Sequence, residues 1–165
     1  MIFVKVDNDE LIDKTASLAA DIWTRHYVPI VGAEQVEYML DKFQSVAAIK
    51  NQIESGYIYY LLYYSEQVVG YFAVENQFEQ ATLFISKYYI REDFRGRGFG
   101  RICMTFIEDL CRGFELEKLS LTVNKHNTAS IAVYEKLGFY NAGGVVADIG
   151  GGFVMDDYIM VKDIF

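Results

Sequence analysis

Ala81-Thr-Leu-Phe-Ile-Ser-Lys-Tyr-Tyr-Ile90-Arg-Glu-Asp-Phe-Arg95-Gly-Arg-Gly-Phe-Gly100-Arg101 is the stretch on which the reading of this chain turns. β-Branched and aromatic residues dominate Leu83 to Ile90, the mark of a strand. Phe99, Ile102, Cys103, Phe106, Ile107 and Leu110 fall on one side of a 3.6-residue helix. Between the two lie Gly96, Gly98 and Gly100, with Arg91, Arg95, Arg97 and Arg101 around them. Glycine permits positive φ and lets backbone approach a ligand closely. The first turn of a helix leaves its N–H groups unpaired and carries a partial positive charge. Strand, glycine turn and helix start together make a site for a phosphate or pyrophosphate. The turn is not G-x-G-x-x-G, because its third glycine comes one residue early. Nor is it a P-loop, because it lacks Gly-Lys-Ser/Thr. A surface turn that happens to be rich in glycine and arginine is the competing reading.

The 165 residues around this stretch are expected to form one domain, residues 1–165. A hydrophobic content of 52% is ample for a core, and 13 Tyr with 12 Phe point to strands and an aromatic-lined cleft. The net charge of −8 argues against general binding to nucleic acid or to an anionic membrane, and it sets the arginines of 91–101 apart from their acidic background. Cys103 and Cys111 share one predicted helix about 12 Å apart, too far for a disulfide with each other. Neither cysteine sits in a metal-ligand spacing, and His26 and His126 are far apart in sequence, so no metal site is expected. No basic stretch followed by an apolar run opens the chain, and no run of 18 apolar residues exists. A cytoplasmic location is the resulting expectation.

Along the chain, Ile2–Val6 reads as a first strand, and Asp7, Asn8 and Asp9 offer helix caps. Leu11, Thr15, Leu18 and Ile22 form a helical stripe reaching Trp23 or a little beyond, with Pro29 ending that element. A second helix is predicted from Ala33 to Phe43, and a third, capped by Ser45, closes at Ser55-Gly56. Tyr57–Tyr64 and Val68–Glu75 read as a hairpin, and the strand at 81–91 follows. A helix from Gly98 to Arg112 should stop at Gly113. Lys118–Asn124 alternates as a half-buried strand, Asn127 caps a helix from Thr128 to Leu137, and Phe139–Ile149 and Phe153–Lys162 are two final strands. The pattern implies a mixed α/β sheet with helices on both faces.

Val123-Asn124-Lys125-His126-Asn127-Thr-Ala-Ser-Ile-Ala-Val-Tyr134-Glu-Lys-Leu-Gly138-Phe139 is the most specific stretch. Together with the Arg95-x-x-Gly98-x-Gly100 turn, in the same order and at the right separation, it strongly resembles the GCN5-related N-acetyltransferases. The resemblance covers residues 57–165 well and the N-terminal helices loosely. It implies an α/β (α+β) fold with a mostly antiparallel sheet of six to seven strands, splayed between the fourth and fifth. It further implies acetyl-CoA as the acyl donor, held at the pyrophosphate by Arg95, Gly96, Arg97, Gly98, Phe99, Gly100 and Arg101. Backbone around Tyr88, Tyr89 and Ile90 would face the thioester like an oxyanion-hole donor, and Asn127 and Ser130 would lie against the cofactor. By the same resemblance Tyr134 is the general acid that protonates the departing thiolate, a role suited to a phenol with a reference pKa of about 10. Read without the resemblance, Asn127 is equally a helix cap and Tyr134 equally a core or surface tyrosine.

The acceptor must lose a proton before it can attack, and lysine-acetylating relatives carry a glutamate on the strand before the loop. That position is Phe84 here. Glu75 is the candidate base, with Tyr71 and Ser86 able to act through water, although Glu75 also reads as a solvated strand end. Trp23, His26, Tyr27, Tyr38, Ser86 and the Asp156-Asp157 pair, Asp156 above all, are candidate acceptor contacts. The segments at 38–43 and 155–160 resemble bacterial members related to polyamine acetyltransferases, which implies a small primary-amine acceptor. Acetylation of a protein lysine or N-terminus, and acyl-CoA sensing without turnover, are the competing functions. Exposed strand edges leave room for a homodimer.

Overall fold

The computed structural model describes every residue from Met1 to Phe165. Its strands hydrogen-bond in the order β1-β2-β3-β4-β5-β7-β6, a seven-stranded mixed sheet in which β4 and β5 run parallel. The chain gathers into two compact units, Met1–Val74 with Lys87–Gly100, and Glu75–Ser86 with Arg101–Phe165. No helix is long and apolar enough to cross a membrane.

The first unit opens with β1 (Ile2–Lys5), α1 (Asp9–Val31) and α2 (Ala33–Met39). A π-helical turn (Leu40–Gln44) and α3 (Val46–Glu54) follow. Asn8 caps α1 by accepting from the Leu11 N–H at 2.9 Å, and Ser45 caps α3 by accepting from the Ala48 N–H at 3.2 Å. Pro29 does not end α1 as its sequence suggests. It lies inside the helix, which runs on to Gly32, where φ is 89° and the N–H donates to Val28 O. A proline removes one N–H and crowds one carbonyl, and this close to the helix end the loss is tolerated. The buried stripe of α1 is Ile12, Thr15, Ala19, Ile22 and Trp23, turned from the expected one because Leu11 and Leu18 are only half-buried. The expected second helix ends early, at Met39, and its last four residues widen, with the buried Gln44, into a π-turn.

β2 (Ile58–Tyr64) and β3 (Gln67–Gln77) form an antiparallel hairpin, and β1 pairs with β2 from Ile2↔Tyr63 to Lys5↔Tyr60. Ser65 and Glu66 both have positive φ, the two-residue turn that suits the twist of paired strands. Tyr59, Leu61, Leu62, Tyr71 and Phe72 are fully buried. Each large apolar side chain so placed contributes roughly 1.5–3 kcal/mol relative to exposure.

The second unit takes the first half of β4 (Thr82–Ile90), most of α4 (Phe99–Gly113), β5 (Lys118–Asn124) and α5 (Thr128–Lys136), with the closing hairpin β6 (Tyr140–Gly150) and β7 (Phe153–Asp163). Cys103, Met104, Ile107 and Cys111 form the buried stripe of α4, whereas Ile102 is exposed. Both cysteines are free thiols, as their spacing requires. α4 ends at Gly113, as expected, and Glu115, with φ 57°, is the left-handed residue that follows it. The parallel ladder between β4 and β5 is short, from Thr82↔Lys118 to Ile85↔Leu121, and β5 continues to Asn124 beside β7. β6 is exposed along nearly its whole length, with only Ile149 buried.

Candidate active site

In the first unit, the turn after β4 is shaped by its glycines. Gly96 and Gly98 have φ of 74° and 82°, and a Cβ on either would meet nothing within 4 Å. Backbone conformation therefore selects glycine there, and the space above it is open. Gly100 differs, since a Cβ would lie 3.2 Å from the Tyr88 hydroxyl, and that hydroxyl donates to Gly100 O. Arg95 folds the turn by donating from Nε to Ile90 O at 3.0 Å. Arg91 is tied to Asp93 at 2.8 Å and to Val68 O at 3.2 Å, and Arg97 lies over the Phe94 ring at 5.0 Å. Arg95, Arg97 and Arg101 stay exposed around the start of α4, so open backbone and free cationic reach coincide at one helix N-terminus.

Behind the turn is a cluster of phenols. Trp23 is 5% exposed and donates its indole N–H to Tyr71 OH at 2.9 Å; Tyr71 in turn donates to Gln44 Oε1 at 3.2 Å. Trp23 is thus a core residue and not the open acceptor contact that its sequence position suggests. Tyr27 and Tyr89 share a hydrogen bond of 3.1 Å, and Tyr89 packs against both Trp23 and Tyr71 at 5.5 and 5.4 Å. Burial pushes the Tyr71 hydroxyl well above its usual value, so it is no base at neutral pH. Tyr38 is half-buried on α2 beneath the Lys42 ammonium, 5.8 Å from its ring. A pocket of about 360 Å³ lies between α1, at Asp21, Arg25 and His26, and the segment Arg91–Arg95. Burial, and then Arg95, lower the pKa of His26.

The side chain of Lys87, at the start of the strand segment expected to face the thioester, carries a feature that no motif of the sequence marks as part of the site. It is 6% exposed, donates to Gln52 Oε1 at 2.7 Å and lies 5.3 Å from the Tyr59 ring centroid. Burial lowers its pKa to about 7. A charged residue inside the apolar run Leu83–Ile90 was the available signal.

In the second unit, Asn127 is 4% exposed and its Oδ1 accepts from the Ser130 N–H at 3.3 Å, so the capping role is real. Tyr134 is half-buried on α5, and its ring meets that of Phe139 edge to face with centroids 5.8 Å apart. Glu75 is half-buried at the end of β3 and accepts from Gln77 Nε2 at 3.4 Å. Ser86 is half-buried on β4. Asp156 is paired with Lys125 at 2.7 Å and its side chain is 48% exposed. Its neighbour Asp157 is the buried one, 4% exposed, with no hydrogen bond to Oδ1. Burial first, then Asp156, push its pKa up to about 6, against a lowering by Lys125. Sequence could not separate these adjacent acids, since strand register alone decides which one is enclosed. No cluster of metal-ligating side chains is present.

Among solved structures, a PaiA N-acetyltransferase from Thermoplasma acidophilum, in complex with coenzyme A, superimposes with a TM-score of 0.79 at 18% identity over 99% of both chains. A GCN5-related N-acetyltransferase from Rhodopseudomonas palustris gives 0.81 at 15% identity over 98% of this chain and 94% of its own. At these identities the likeness is one of fold. In sequence, an uncharacterized N-acetyltransferase, YycN of Bacillus subtilis (strain 168), is 29% identical over 76 residues, which cover 45% of this chain and 49% of that one. The match thus spans about half the length of that curated relative. The pattern of the acetyltransferase (GNAT) family matches residues 18–139, which include both the glycine turn and Tyr134, and the chain belongs to that family.

Proposed function

We propose that this protein transfers the acetyl group of acetyl-CoA to a primary amine of a small molecule. The observation that carries the reading is the turn from Arg95 to Gly100, where two positive-φ glycines leave open space at the N-terminus of α4 among exposed arginines. That arrangement suits a pyrophosphate: N–H groups and the helix dipole meet the anion, and Arg95, Arg97 and Arg101 supply charge. Membership of the family supports acetyl-CoA as the donor. In this reading backbone at Tyr88–Ile90 holds the thioester carbonyl, Asn127 and Ser130 lie along the cofactor, and Tyr134 gives its proton to the thiolate. By the resemblance, Phe84 stands where lysine-acetylating relatives carry a glutamate, which weighs against a protein-lysine acceptor.

Two measurements test it. Gly98→Trp should weaken acetyl-CoA binding by about 10²-fold or more, read by calorimetry, with the circular dichroism spectrum unchanged; intact affinity would remove the turn from the site. CoA release should appear with one class of a panel of polyamines, amino acids, aminoglycosides and lysine peptides, and Tyr134→Phe should slow it by about 10²-fold with little change in acetyl-CoA affinity.

A further inference from the structure

Alternation along β5 sorts its side chains by face. Leu119, Leu121 and Val123 are buried, while Ser120, Thr122 and Asn124 alternate with them on the other face. Register carries that polar face onto the neighbouring strand, because Asn124 stands opposite Asp157 of β7. On its other side Asp157 stands opposite Val145 of β6, which brings no charge. The Lys125 N–H donates to Asp156 O at 3.1 Å and the Asn127 N–H to Asn124 O at 2.9 Å, so the backbone at Asp156 is held against the turn that opens the helix carrying Tyr134.

The Asp157 carboxyl is an anomaly in this setting. A buried carboxylate needs a cation or several donors, and an unmet one is costly. Lys125, the basic group beside it, is taken by Asp156 at 2.7 Å and lies over the Tyr158 ring at 5.5 Å. Asp157 Oδ1 is enclosed and receives no hydrogen bond. Asp156 is half-buried, and its enclosed Oδ1 has the Lys125 ammonium 2.7 Å away, whereas the enclosed Asp157 Oδ1 has neither an ion-pair partner nor a hydrogen bond. The first oxygen has its cation; the second has room for a cationic donor.

We propose that Asp157 receives the ammonium group of the acceptor and takes its proton, which selects primary amines that are cationic in solution. This rests on the transferase reading above and deepens it. One ammonium N–H bond breaks and its proton passes to the Asp157 carboxylate. The freed lone pair forms the N–C bond as the thioester C–S bond breaks. Tyr134 protonates the sulfur and is restored by the second proton the nitrogen loses. Asp157 releases its proton to solvent, so each turnover yields one amide, one CoA thiol and one proton. Burial and Asp156 raise the Asp157 pKa to about 6 while Lys125 lowers it, close to the range in which a general base works best at neutral pH.

The test uses the full chain. With aspartate carboxyls labelled with ¹³C, one carboxyl should titrate near pH 6 and move downward on addition of butylammonium. Asp157→Asn should remove that signal, cut kcat/KM for spermidine by about 10²-fold at pH 7 and abolish the acidic limb of the pH profile, with acetyl-CoA affinity held within about twofold. The loss should be smaller with methoxyamine, which arrives unprotonated; a purely structural defect would affect both amines alike. A carboxyl indifferent to butylammonium, or turnover unchanged in Asp157→Asn, overturns the assignment and leaves the transferase reading intact. A wild-type protein whose Asp157 answers butylammonium but which releases no CoA with any amine supports the cation site and overturns the transferase reading alone.

Discussion

Lys87 in the first unit and Asp157 in the second make an instructive pair. Both are ionisable, both sit on strands, and both are nearly enclosed, at 6% and 4% exposure. Burial moves each toward its neutral form, the lysine down to about 7 and the aspartate up to about 6. Their surroundings differ. Lys87 has a carbonyl oxygen of Gln52 at 2.7 Å and two tyrosine ring faces within 5.7 Å, so its ammonium is received by the fold. Asp157 Oδ1 has no hydrogen bond. One is a buried charge the scaffold has accommodated; the other is a buried charge whose counterpart comes from outside the chain.

The comparison is sharpest in the pH dependence of stability. Lys87 has a depressed folded-state pKa, so between about pH 7 and 10.5 the unfolded chain binds more protons, and stability rises with pH across that window. Below pH 7 the desolvation cost is present in full. Lys87→Met should therefore stabilise the protein in acid relative to wild type, by several kcal/mol at most, and the advantage should shrink by up to about 1.4 kcal/mol per pH unit above pH 7. Denaturant unfolding of both proteins from pH 5 to 9 measures this. A constant difference would mean that Lys87 is not held in a low-dielectric site.

Asp157 has the opposite sign. Its folded-state pKa is raised, so the stability it contributes is present below about pH 4 and is lost as the pH rises through 6. Asp157→Asn should be more stable than wild type by about 2 kcal/mol at pH 7 and no different at pH 3.5. A variant that is more stable and less active is the signature of a group kept for function. Destabilisation at pH 7 would show instead that the carboxylate is satisfied in the fold, as Lys87 is.

The smallest expected effect is that of Lys125→Ala. The pair it forms with Asp156 is partly exposed, 31% and 48% at the two side chains, and such pairs contribute little. Lys125 nonetheless holds the Asp157 pKa down, so its removal should shift the acidic limb of the activity profile upward. A limb that stays in place would separate Asp157 from the titration that governs turnover.

Several elements of the fold were legible because local chemistry decides them. Asn8, Ser45 and Asn127 cap helices as their side chains predict, the hairpin of β2 and β3 turns at Ser65-Glu66, and Gly138 ends α5 with a φ of 96°. Pro29 misled because a proline's cost depends on how much helix lies beyond it, and here only two residues do. α4 ends at Gly113 as expected, but the left-handed residue that follows the helix is Glu115, which turn chemistry did not mark. In the site, the glycine turn and Tyr134 were visible as motifs, whereas Trp23 looked like a surface aromatic and is core.

The order of elements, the glycine turn ahead of α4 and the family are readable from the chain alone, because spacing and turn chemistry are properties of neighbouring residues. The environment of each ionisable group is set by long-range packing. Asp156 and Asp157 are indistinguishable in the sequence, yet one is half-exposed and paired with Lys125 while the other is buried on a strand position flanked by Asn124 and Val145. Likewise Lys87 acquires its unusual pKa only when α3 brings Gln52 and β2 brings Tyr59 against it. Desolvation depends on what long-range packing places around a group, and that is not written in its immediate neighbours.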